Sequence, residues 1–527
     1  MMTPDLMLRA VLAGLAGAQM PDLPAGRGLV HLTARTGGKP LRRWWAEGSN
    51  LAAALASGLT QMPAGVRTLE LTLCGPAEPL QPSRLTRAAC NEFRGLLGLE
   101  MRAAGGVARI SPLEMLTRNL GPTAALRLLA AELGRPGLAT RWCFGADQWL
   151  VDLGTCRATR LHRGQIVLPQ TAVTQDSVAE MAAAMQGWMV RQVAVSGATT
   201  YKYWPASGMY SGANNTVRQF MGSACLALAA GRDADAVAAM ERNFHHNFSS
   251  FYRDEGDFGI IDEGGKVKLG AAAVAVMAIL NRPDPAPYLD PLNRLTRFIL
   301  HMQHDDGRFR TFLRPEGRDD NHNFYPGEAL LALAMLHDRA PDATLAARIR
   351  AGFQHYRDWH RANQNPAFIP WHVQAYCRFF RRDGDAGMVA FVFEMSDWLV
   401  TLQQRAGPPD ARGEFFTPQT AHFGPPHASS TGVYLEGLIE AFALARDLGD
   451  RQRANTYRRA ILRGLRSLMQ LQFRDGADMF YLARRDRVAG GLRTATFDST
   501  VRIDNVQHGL MAIWRIMAVF GVDDYKP

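Results

Sequence analysis

The chain has 527 residues, 47% of them apolar and 20% charged, with a formal net charge of +10. That length calls for more than one ordinary domain, and the composition is that of a globular chain rather than a disordered or collagen-like one. The basic residues fall in short clusters such as Arg381-Arg382 and Arg484-Arg485. Without the concentrated footprint of a specific nucleic-acid binder, the charge suits an acidic saccharide or another anionic neighbour.

The opening run MMTPDLMLRAVLAGLAGAQ is apolar enough to suggest a signal peptide. Arg9 interrupts it, however, and Asp5 stands where positive charge belongs. An amphipathic first helix is therefore expected. No run approaches the ~20 apolar residues of a transmembrane span. The cysteines, at 74, 90, 143, 156, 225 and 377, show neither a CxxC nor tight spacing with histidine. They fit neither a zinc site nor a disulfide framework, and they favour a reducing, cytoplasmic setting.

Residues 1–165 mix two periods. GLVHLTA (28–34), VRTLELTLCG (66–75) and QWLVDLG (148–154) alternate or are β-rich, whereas LTRAACNEFRGLLGLEM (85–101) and PTAALRLLAAELG (122–134) have helical spacing. An α+β accessory domain is expected, with room to recruit a protein partner or cap a site elsewhere. GLVHLT, a helix, then TLELTLCGPAEPL resembles the AMMECR-type domain. That family's Gly-Cys loop would fall near LRRWWAEG (41–48), which has none, so no function carries over. QIVLPQTAVTQD (165–176) reads as the junction.

From residue 177 to 527 the period is helical, and strands are not expected. Six helices are apolar nearly all round, at 215–230, 268–280, 325–336, 370–380, 431–445 and 503–517. Each follows a one-faced helix, at 178–195, 235–248, 289–303, 344–360, 388–404 and 454–472. Helices apolar all round belong inside and one-faced helices outside. Alternation at a spacing of very roughly fifty residues is a repeat signature. LHMQHDDGRF (300–309), LVTLQQRAGPPDARGEF (399–415) and LMQLQFRDGADMF (468–480) echo one another as a helix end, a glutamine, Asp/Gly and an aromatic.

This pattern resembles the six-hairpin (α/α)6 toroid. The resemblance implies carbohydrate-active enzymes: glycoside hydrolases, polysaccharide lyases, and sugar epimerases of the glucuronyl C5 and N-acylglucosamine 2 kinds. The connections are lopsided. Inner-to-outer turns are brief, as at 230–235, 337–343, 381–387 and 446–452, whereas outer-to-inner loops are long, as at 252–267, 304–324, 405–430 and 473–502. Long loops rich in Asp, Arg, His and aromatics on one face of a rigid scaffold mark a binding face.

That face receives the N-terminal ends of the inner helices, all of which carry polar groups. Glu328, His372, Tyr434, Glu436, Asp504 and His508 are the candidate catalytic residues. Asn215, Arg218, Lys268, Tyr325, Trp371, Tyr376 and Arg502 are candidates for holding substrate. Structural roles compete. Asp504 with Gln507 fits a capping box, and Glu328, just after Pro326, suits a helix dipole. His372 and His508 suit satisfied core positions, and Glu394 and Asp397 suit braces between outer helices.

Two mechanisms stay open. Epimerisation or β-elimination needs a base and an acid on opposite faces of the sugar, with cations to steady the enolate-like charge. The cations Arg218, Lys268 and Arg502 favour that chemistry on an anionic sugar. Hydrolysis needs a protonated carboxyl and a carboxylate, from the pool Glu328, Glu436 and Asp504. A non-catalytic glycan-binding or scaffold subunit is the third reading. No cofactor is implied, and no metal: no cysteine lies at an inner-helix end to ligate zinc.

Overall fold

The computed structural model describes residues 2–134, 138–231, 233–474 and 476–526. Met1 of the opening run, Arg232 of the turn 230–235 and Asp475 of the loop 473–502 lie outside the described residues. Six apolar helices close a ring: Thr216–Ala230, Leu269–Asn281, Tyr325–Arg339, Ile369–Asp383, Ala428–Asp447 and Ile503–Val519. Each packs on the next, and the sixth returns to the first. Around them stand Gln175–Arg191, Ala234–Phe251, Leu289–His301, Ala343–Ala362, Ala386–Thr401 and Arg451–Leu471. Each inner helix packs on the outer helix that follows it, and the sixth packs on the first outer one. The closed double ring is an (α/α)6 toroid preceded by a smaller sheet-containing part.

Burial explains the sorting. Every residue from Leu269 to Ile279 is buried, so that inner helix has no solvent face. The outer helix Leu289–His301 buries only Leu292, Leu295, Phe298 and Ile299, a single stripe. Burying a Leu or Phe side chain is worth about 1.5–3 kcal/mol, so exposing an inner helix would cost far more than any polar gain.

The sequence echo is a clasp between outer helices. Gln303 Nε2 donates to Gly307 O (3.3 Å) and to Arg348 O (2.9 Å) on the next outer helix. Gln403 does the same with Gly413 and Ala460, and Gln472 with Gly490 and Met181. In the third copy the clasping glycine is therefore Gly490, not the Gly476 of the echo. These glycines, with Gly197 at the first junction, have φ between +85° and +93°. A Cβ on Gly307 would sit 2.1 Å from Ala351 O, and those on Gly197, Gly413 and Gly490 would meet the next outer helix as closely. Gly307→Ala should combine left-handed strain with a backbone clash. A loss of roughly 2–4 kcal/mol is expected, read as a lower urea midpoint.

The outer-to-inner loops are long, save for 363–368 between the fourth outer and fourth inner helices, and they form one rim. Strands do not vanish after residue 177. Two small four-stranded sheets stiffen the rim, one from Tyr252–Glu255, Phe258–Glu263, Lys266–Lys268 and Phe312–Arg314. The other joins Arg493–Ala495 and Asp498–Arg502 to Lys202–Trp204 and Met209–Tyr210. Strands of two to six residues leave too short a period-two pattern to register against the helical signal.

The N-terminal part is an antiparallel sheet of β1 (Leu29–Thr36), β2 (Lys39–Glu47), β3 (Thr68–Pro79), β4 (Leu97–Ala103), β5 (Gly106–Ile110), β6 (Thr140–Asp152) and β7 (Arg157–Leu161). Its order is β2-β1-β3-β6-β4-β5, with β7 also on β6. The first helix, Pro4–Ala16, is amphipathic and buries Met7, Ala10, Val11 and Gly14. The run 85–101 is not the helix its spacing suggested. Only Cys90–Phe93 is helical, Gly95 turns the chain at φ +77°, and Leu99 and Met101 point inward from β4.

The sheet part docks on two rim loops. Arg163 pairs with Asp410 (2.7 Å), both side chains being fully buried, and also donates to Asn91 O and Arg94 O. Asn119 Nδ2 donates to Asp498 Oδ1 (3.0 Å), and Gln165 Nε2 to Thr496 O (2.7 Å). No helix among the described residues is long and apolar enough to cross a membrane.

Candidate active site

The rim end of the ring gathers Arg218, Tyr325, Glu328, Arg502 and Asp504 from three inner helices, with Tyr201 and His427 from the loops. Asp504 is the hub. It accepts from Arg218 Nε (3.1 Å) and from Arg502 Nε (2.9 Å), and a second Arg502 nitrogen also reaches it. The Arg502 and Arg218 guanidinium groups, working against burial, hold its carboxyl down at about 2. No capping box forms, because the N-cap is Arg502 and Asp504 lies inside the first turn, turned to the arginines. Both guanidinium groups also lie over the Tyr201 ring, at 4.6 and 5.3 Å from its centroid.

His427 caps the fifth inner helix, which begins at Ala428, three residues before the predicted start. Its Nδ1 lies 2.8 Å from Ser429 Oγ and its Nε2 2.6 Å from Arg502 Nη1. Burial, then the Arg502 charge, lowers its pKa to about 4. The ring is thus neutral at pH 7. Nδ1 makes the cap by accepting from Ser429 N (3.2 Å), and Nε2 faces the Arg502 guanidinium. The sequence signal for His427 was its place just before Ser429-Ser430, a cap position hidden by starting the helix too late. Tyr201 left no signal.

Glu328 is different in kind. It is 4% exposed, and its Oε2 is buried with no hydrogen-bond partner among the described residues. Burial pushes its carboxyl up to about 8, against the field of Arg218. It occupies the first turn of its helix, as Pro326 suggested, but as a neutral acid it does little for the dipole. Gly270 on the neighbouring inner helix makes room for it. A Cβ there would stand 2.3 Å from Oε2 and 2.4 Å from the Tyr325 ring. Burial also raises the Tyr325 hydroxyl, with the Glu328 charge adding to the effect.

Deeper in the ring, His508 Nδ1 lies 2.9 Å from Glu436 Oε1, and Trp371 packs edge-on against the imidazole. Burial raises the Glu436 carboxyl, opposed by His508. Glu436 and Trp371 line a lumen of about 270 Å³ with Met221, Met277, Met335 and Met511. Glu440, one turn on, is a brace held by Arg381 (2.7 Å) and Arg515 (2.6 Å). Tyr434 is buried beside Ser430 and Phe415 in a small separate pocket.

Other candidates stand apart. His372 is fully buried, stacked on Phe368 at 3.6 Å, with Nδ1 held by the Tyr376 hydroxyl (2.9 Å). Both residues belong to an aromatic core behind the rim, and burial holds the His372 pKa well below its usual value. Lys268 is neutralised by Glu263. Asn215 caps the first inner helix by accepting from Arg218 N (3.0 Å). Glu394 pairs with Arg361, and Asp397 with Arg453 and the Tyr457 hydroxyl, as braces between outer helices. Among the described residues no three His, Cys, Asp or Glu side chains gather as a metal cluster.

No family model matches the chain, and no curated protein matches it. Solved structures similar to it include the GH76A alpha-1,6-mannanase from Salegentibacter sp. HEL1_6, at 12% identity over 65% of this chain and 100% of that one, with a TM-score of 0.48. A D-mannose isomerase matches at 9% identity over 67% of this chain and all of its own, with a TM-score of 0.49. An unsaturated glucuronyl hydrolase specific for heparin matches at 12% identity, with coverages of 65% and 97% and a TM-score of 0.47.

Proposed function

We propose that the chain is a carbohydrate-active enzyme that uses the rim cluster for acid–base cleavage of a saccharide. The single observation that carries this reading is the divergence of two carboxyls set around one arginine. Glu328 is held protonated near pH 7 and Asp504 ionised. Environments that push two titratable groups apart mark an acid and its complementary anion. Glu328 donates its proton to the departing glycosidic oxygen. Asp504, fixed by Arg218 and Arg502, supplies the negative charge that steadies the oxocarbenium-like transition state and, as general base, takes the proton of the attacking water. Arg218, whose terminal nitrogens make no hydrogen bond among the described residues, is available for a carboxylate on the sugar.

A second reading, epimerisation or β-elimination, draws on the Glu436–His508 pair, which has an imidazole to take up a proton and a carboxyl to orient it. The two are bonded to each other rather than set across an open cavity, and this favours cleavage. Wild-type protein incubated in deuterated water with uronic-acid and neutral oligosaccharides separates the readings. New reducing ends support cleavage, whereas deuterium uptake without cleavage supports epimerisation. Neither, across the panel, would leave a binding subunit.

A further inference from the structure

A cleft of about 1050 Å³ separates the N-terminal sheet from the last rim loop. Arg67, Arg157 and Arg485 line it, and none of the three makes a side-chain hydrogen bond or ion pair among the described residues. This sets them apart from most arginines of the chain, which are tied to carboxylates or carbonyls. Thr36, Thr68, Thr155 and Thr159 add hydroxyls along the sheet wall. Asp152 and Asp486 also line the cleft. Asp152 uses one oxygen, Oδ1, on the N–H groups of Gly154 (2.8 Å) and Thr155 (3.0 Å).

We infer that this cleft is a second binding site, for an acidic oligosaccharide. Three guanidinium groups without side-chain partners among the described residues, against two carboxylates in the lining, leave the cleft cationic and call for carboxylate or sulfate. Carboxylates among them would repel the dense phosphates of a nucleic acid, but they suit a ligand whose anionic groups are spaced by hydroxyls they can accept from. Nor do the described residues offer a platform for bases: the one aromatic among them in the lining, Phe480, is only 2% exposed, whereas single-stranded nucleic acid is held by exposed aromatic faces. The loop that walls the cleft at 476–486 also delivers Arg502 to the rim. A chain bound in the cleft is therefore held by the same segment that shapes the rim cluster. The identification of a saccharide leans on the reading of the rim, but the site is tested by binding, without turnover.

The test is titration calorimetry of the full chain with oligogalacturonides, hyaluronan fragments and heparin fragments, alongside a neutral mannan oligosaccharide and a single-stranded DNA oligomer. At least one acidic oligosaccharide should bind, the neutral one should not, and DNA should bind more weakly. Each of Arg67→Ala, Arg157→Ala and Arg485→Ala should weaken the acidic ligand about tenfold, as loss of a charge-assisted contact does. Exposed and unpaired, these side chains leave the fold intact when removed, and an unchanged melting midpoint checks this. Run in the Glu328→Gln background the titrations are free of turnover, and Arg218→Ala, which removes the rim's own contact to a sugar carboxylate, should leave the affinity at the cleft unchanged, so failure at the rim is distinct from failure here. Affinity untouched in the triple variant, tighter DNA binding, or no binding across the acidic panel would each overturn the inference.

Discussion

Glu328→Gln is expected to cut saccharide cleavage by about 10²–10⁴-fold, the usual contribution of a positioned general acid. KM should stay nearly constant, because the amide matches the protonated carboxyl in size. In the wild type, activity should fall as pH rises through about 8, where Glu328 surrenders its proton. The variant's residual rate should lack that limb. The same substitution should stabilise the fold. Below the ordinary carboxyl value of 4.5 both folded and unfolded chains hold the proton. Between there and about 8 only the folded chain does, so wild-type stability declines by about 1.4 kcal/mol per pH unit and levels off above. Glutamine removes the decline. Urea melts at pH 5 and pH 9 should therefore show the variant pulling ahead at the higher value. A variant that loses stability instead would mean the carboxylate has an unseen partner.

The second large effect lies at the seam between sheet and ring. Arg163→Leu should cost roughly 3–5 kcal/mol, because it strands the buried Asp410 charge. Burial raises that carboxyl, but the charge of Arg163, together with His162, whose Nε2 lies 3.3 Å away, outweighs it and holds it at about 2. Its contribution is thus present above the ordinary 3.8 and lost as pH falls through about 2. Arg163→Leu with Asp410→Leu should recover part of the loss, since no charge is left unpaired. Recovery stays incomplete because the Asn91 and Arg94 carbonyls lose their donor. Denaturant midpoints of the two variants at neutral pH check the order.

The wall of the ring was legible because burial on every face leaves an unmistakable composition, as in LGAAAVAVMAIL between Leu269 and Leu280. The lopsided loops foretold which face carries the charged cluster. What the residues could not reveal was orientation. His372 and His508 look alike in sequence, each near the start of an inner helix. One is stacked in an aromatic core and the other reaches Glu436. Asp504 and Gln507 have capping-box spacing, yet two arginines outcompete a backbone N–H for the carboxylate. The special character of Glu328 comes from what is missing around it, and a missing partner leaves no trace in a linear string. Short rim strands and β4 were lost to glycine-punctuated runs whose periods are ambiguous over so few residues.

The glutamine–glycine clasps have a consequence for how this scaffold accepts change. Each fixes the root of a connecting segment to the adjoining stave of the barrel before that segment wanders off. Whatever lies beyond the root can lengthen, shorten or be exchanged without altering the curvature of the wall. The protein thus separates what must be constant for it to stand from what can be rewritten to suit a different guest.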